Sequence, residues 1–121
     1  MKKTIIFLIL LISVVGCYWE DEESVYPDLD MCDTLDVSFA LDIVPILTNH
    51  CFNCHSNKNA PDFTFGFALQ DYEDIAEASH TIIGAVNHLD GFSKMPKGAE
   101  MLDSCLINTL EAWVNQGSLN N

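Results

Sequence analysis

Cations are scarce in this chain: five lysines stand against 18 acidic residues, for a formal charge of −13. The basic patches that nucleic acids select are missing. Long apolar runs are missing too. The longest, Ile5 to Val15, has eleven mostly aliphatic residues, well short of the about 20 that a helix needs to cross a bilayer. The single Cys-x-x-Cys has no second copy and no paired-histidine motif beside it, so a structural zinc site is short of ligands. No β-α-β pattern surrounds it, which removes the setting of a thioredoxin-like redox pair. The chain shows no internal repeat and no serine or carboxylate constellation of the kind that catalyses hydrolysis.

What is present begins at the N-terminus. Met1-Lys2-Lys3 is a basic n-region, and the apolar run behind it suits the h-region of a secretory signal. Val14-Val15-Gly16-Cys17 resembles the lipobox of bacterial lipoproteins. That resemblance implies cleavage before Cys17, removal of residues 1–16 as signal peptide, and lipid on Cys17. The protein is then expected in the bacterial cell envelope, lipid-anchored, facing the periplasm or lying on the outer-membrane surface. Loss of Lys2 and Lys3 takes the formal charge from −13 to −15 and leaves Lys58, Lys94 and Lys97. Such a surface favours partners with basic docking faces, whose encounter is steered and salt-sensitive. Residues 17–36 are acidic and without period, and read as a tether. Within them Glu20-Asp21-Glu22-Glu23 resembles the acidic export signal of surface lipoproteins in Bacteroidetes; the alternative is a solvated spacer.

Residues 37–121 form the expected domain, all-α with substantial loops. Asp42 is a candidate cap for a helix over 43–49, with Pro45 in its first turn, where a missing N–H is no loss. Further helices are expected over 71–78 and 81–88. The last is the clearest. Asp103 or Ser104 caps it, Leu106, Ile107, Leu110, Trp113 and Val114 make one apolar stripe, and Gly117 ends it. Residues 62–67 alternate, but the run is short and broken by Gly66.

The chemistry centres on Cys51-Phe52-Asn53-Cys54-His55, the pattern of covalent haem attachment. Two thiols three positions apart are spaced to add across the two vinyl groups of one haem. The histidine that follows then lies under the ring as proximal iron ligand. A plain Cys51–Cys54 disulfide would leave the histidine unexplained. Export fits as well, since such attachment takes place outside the cytoplasm. On the distal side Met or His is expected. Met95 lies forty residues after His55, in Lys94-Met95-Pro96-Lys97-Gly98, far enough for the chain to wrap to the other face. Met101, His80 and His88 compete for the same role, and His50 sits too close to the motif to reach it.

The ordered set Asp42-Ile43-Val44-Pro45-Ile46-Leu47, Cys51-x-x-Cys54-His55, Met95-Pro96-Lys97-Gly98 and Trp113-Val114-Asn115-Gln116-Gly117 resembles the class I cytochrome c domains of Bacteroidetes and Planctomycetes lipoproteins. The resemblance covers about residues 37–120. It implies a small cytochrome c-like fold of three to five helices around one haem c. Cys51 and Cys54 become its attachment points, His55 the proximal ligand and Met95 the distal ligand. The function implied is one-electron transfer, not enzyme catalysis, as a free carrier or a subunit of a respiratory enzyme. Ala99-Glu100-Met101 departs from the glycine and lysine often found there. Two other readings stand beside this one: a five-coordinate haem sensor or enzyme subunit, and a structural lipoprotein without haem. Cys32 and Cys105 remain. In an oxidising compartment they are expected to pair, closing a loop worth about 4 kcal/mol in chain entropy. Leu106, Leu110, Trp113, Phe39, Phe63, Phe65 and Phe67 are expected to pack around the haem.

Overall fold

The computed structural model describes residues 32–121; the expected signal peptide, Cys17 and the expected tether up to residue 31 lie outside the described residues. Ser38, not Asp42, starts the first helical element. The Ser38 hydroxyl accepts from the Leu41 N–H at 3.3 Å, and the Asp42 carboxylate reaches back to accept the Ser38 N–H at 2.7 Å. This reciprocal capping satisfies two N–H groups that a helix start otherwise leaves open. The Ser38 carbonyl accepts from both Asp42 and Ile43, so the first turn, Phe39–Ile43, is widened to a π-helical turn. It runs straight into α1, Val44–His50, with Pro45 in the first turn as expected.

Two single turns follow, α2 (Phe52–His55) and α3 (Ala60–Phe63). Then come α4 (Tyr72–Glu77) and α5 (Ser79–Val86), joined at Ala78. After a long loop, α6 (Ser104–Asn115) begins at Asp103, whose carboxylate accepts from the Cys105 N–H at 2.8 Å. Gly117 closes it with φ +96°, a left-handed conformation that glycine adopts without penalty. The described residues contain no strand. Among them, no helix is long and apolar enough to cross a membrane.

The core gathers one face of each longer helix. Ile43 and Leu47, Ile75, and Trp113 are the fully buried large side chains, each worth about 1.5–3 kcal/mol by removal from water. Phe39 joins them, edge-on to Tyr72 at 5.1 Å and tilted against Trp113 at 5.6 Å. Phe39, Leu110 and Trp113 thus pack on protein, and Leu106 lies half-buried against the same cluster.

The two ends of the described chain are tied together over this core. Gln116 is the main fastener: its side chain accepts from the Val37 N–H at 3.1 Å and donates to the carbonyls of Thr34 and Leu35. A disulfide joins Cys32 to Cys105, 73 residues on. The end of the acidic segment therefore belongs to the folded body. From the other terminus, Asn121 accepts from Phe39 and Ala40, and the Trp113 indole donates to Leu119.

Candidate cofactor site

α1 delivers the chain to Cys51, whose N–H still donates to Leu47 at 2.8 Å. The Cys51 carbonyl then accepts from both Cys54 (3.1 Å) and His55 (2.9 Å), winding residues 51–55 into one tight turn. Cys51 caps α2 and Cys54 lies inside it, three positions on. Both are free thiols, half-buried. Burial pushes the Cys51 thiol from 9.0 up to about 11, so it stays protonated at neutral pH.

His55 is fixed by a group that the sequence does not advertise. Its Nδ1 lies 2.9 Å from the carbonyl oxygen of Phe67. A carbonyl only accepts, so Nδ1 carries the proton and Nε2 keeps its lone pair for a metal. The Phe67 ring stands edge-on to the imidazole at 5.7 Å. A tight turn makes this possible: Phe65 (φ 55°) and Gly66 (φ 88°) are left-handed, which swings the Phe67 carbonyl toward the ring. The Thr64 hydroxyl donates to the same carbonyl at 2.8 Å, and Leu69 N–H returns to the His55 carbonyl at 2.7 Å. Gly66 is the only trace of this in the sequence.

Met95 is held from another part of the chain. Its N–H donates to the Ala85 carbonyl at the end of α5, and its own carbonyl lies 3.0 Å from Nε2 of His88. That contact commits Nε2 of His88 as a donor, which weakens His88 as a rival distal ligand. The Met95 side chain is half-buried, whereas Met101, His50 and His80 are exposed. The stretches flanking these candidates expose large apolar side chains: Phe63, Phe65 and Phe67 after His55, and Leu89 and Phe92 before Met95. Phe63, Phe65 and Phe67, the phenylalanines expected around the haem, are thus exposed, Phe65 completely. An apolar gap between helices, lined by Leu47, Ile75, Ile82 and Trp113, involves none of the candidate ligands.

Lys58, Lys94 and Lys97, all exposed, lie on the loop after α2 and on the loop that carries Met95, while Asp71, Glu73, Asp74 and Glu77 crowd α4 and its cap. Among the described residues no group of three or more His, Cys, Asp or Glu side chains is gathered for a bare metal ion. The donor set instead suits a cofactor that brings most of its own ligands: two free thiols three positions apart, an imidazole whose Nδ1 is held by a carbonyl, and a thioether on a separate loop. No protein-family model, curated protein or solved structure matches the chain.

Proposed function

We propose that the protein is a mono-haem c-type cytochrome with a cytochrome c-like fold, a one-electron carrier lipid-anchored through Cys17 in a bacterial envelope. The observation that carries this reading is the bond from His55 Nδ1 to the Phe67 carbonyl, beside two free thiols of a Cys-x-x-Cys-His turn. When bound, haem supplies the Fe(III)/Fe(II) couple. Cys51 and Cys54 would hold it covalently, each thiol adding its S–H across one vinyl double bond with no leaving group. His55 would offer Nε2 to the iron, while the Phe67 carbonyl holds the ring in orientation and raises its basicity. Met95 would supply the second protein ligand; a thioether would favour the ferrous state and raise the potential. The acidic surface then selects redox partners with basic docking faces.

The test uses the full chain expressed with c-type maturation machinery, reduced and exposed to carbon monoxide. A six-coordinate spectrum that carbon monoxide leaves unchanged over minutes is the expected result. Fast, tight binding would replace the carrier with a five-coordinate haem sensor or enzyme subunit. A pyridine haemochrome assay that finds no haem would leave a structural lipoprotein.

A further inference from the structure

We infer that His88 is a positioning residue for Met95, holding the distal loop in its ligating shape through a hydrogen bond to the Met95 carbonyl. The inference rests on the proposed reading of Met95 as the distal ligand. Both backbone polar groups of Met95 are committed: its N–H to Ala85 O at 3.0 Å, and its carbonyl to His88 Nε2 at 3.0 Å. The Ala85 carbonyl also accepts the His88 N–H at 3.2 Å, so residues 88–95 form a loop closed on a single carbonyl. His88 itself is left-handed, φ 54°, which turns the chain away from α5 and lets its ring reach across to residue 95. The base of the loop is pinned by Asn87, whose amide donates to Ile83 O at 3.1 Å and to Glu111 of α6 at 2.7 Å. Inside the loop, the Phe92 ring lies directly on Gly84 of α5.

These contacts fix the Met95 backbone from the protein side. A weak thioether ligand gains from that, because less chain freedom is lost when it binds iron. Since the Met95 carbonyl only accepts, Nε2 of His88 carries a proton, and the ring acts by donating a hydrogen bond.

The experiment titrates the ferric full-length protein with imidazole, which competes with a thioether, and records the red-edge absorption band typical of Met-ligated ferric haem. His88→Asn tolerates the left-handed backbone but is too short to span to residue 95. It is expected to weaken the band and to bind imidazole about five- to tenfold more tightly, the equilibrium factor of one ordinary hydrogen bond. His88→Gln, which restores an N–H at that reach, is expected to move both readouts back toward wild type. His80→Asn, on an exposed histidine, should change neither. Met95→Ala is the reference. If it abolishes the band while His88→Asn matches wild type, the positioning role is overturned and the ligand assignment stands. If Met95→Ala keeps the band, the ligand assignment itself falls and the role of His88 falls with it.

Discussion

His55 Nδ1 sits 2.9 Å from the carbonyl oxygen of Phe67, twelve residues further along the chain. One bond of this kind fixes three things together: the tautomer of the ring, its rotation, and which nitrogen faces outward. It also ties the 51–55 turn to the 64–67 turn, so the geometry of the candidate ligand is built by backbone that sequence motifs do not describe.

The Cys32–Cys105 bridge closes a loop of 73 residues around nearly the whole described domain. Removing it should lower stability by about 4 kcal/mol on the chain-entropy account. The check is urea denaturation of wild type and of Cys32→Ser/Cys105→Ser, with far-UV circular dichroism as the probe. Identical midpoints for the two proteins would show that the staple contributes nothing.

Gly84 is the position where a side chain does not fit. A Cβ there would come within 2.6 Å of the Phe92 ring. Helix propensity alone favours Gly84→Ala by about 1 kcal/mol, but overpacking costs about 1–3 kcal/mol. The net expectation is a loss of about 1 kcal/mol. In a Phe92→Ala background the clash is absent, and the same change should become stabilising. A thermodynamic cycle over the four proteins reads the coupling; additivity would contradict the packing.

Helix α6 and the Cys32–Cys105 pair were legible in the sequence, because an apolar stripe acts locally and two spare cysteines pair by covalent logic. The start of the first helix was not. Asp42 and Ser38 are both good caps, and only the folded backbone decides that Asp42 reaches back to Ser38. The short helices α2 and α3 have too few residues to show a period. Phe67 was read as an apolar ring, whereas its part at the site is played by its carbonyl, and a backbone acceptor leaves no signature in residue type. His88 was weighed as a ligand; its left-handed backbone and its contact with the Met95 carbonyl are visible only in three dimensions.

The Cys51 thiol makes the haem-free chain pH-sensitive. Its folded value, about 11, lies above the 9.0 of an exposed cysteine. A raised folded value means that its contribution is complete below about pH 9 and is lost as pH climbs toward about 11. Haem-free wild type should therefore lose more stability between pH 8 and 10.5 than haem-free Cys51→Ser, by an amount on the order of 1 kcal/mol. Urea midpoints at the two pH values provide the comparison; parallel losses in both proteins would remove the thiol from the account.

Cys17 lies outside the described residues, and its proposed role has its own test. In cells fed labelled fatty acid, wild type should carry label and sediment with membranes. Cys17→Ser should do neither, since no lipid holds it there. Label retained by the variant would refute the anchor.

The central claim is that Cys51 and Cys54 hold one haem covalently, and intact-protein mass spectrometry under denaturing conditions reads it most directly. With c-type maturation supplied, the chain should be heavier by one haem. The increment should survive denaturation and vanish in Cys51→Ser/Cys54→Ser. A wild-type chain at its unmodified mass, with both thiols open to alkylation, would contradict the account.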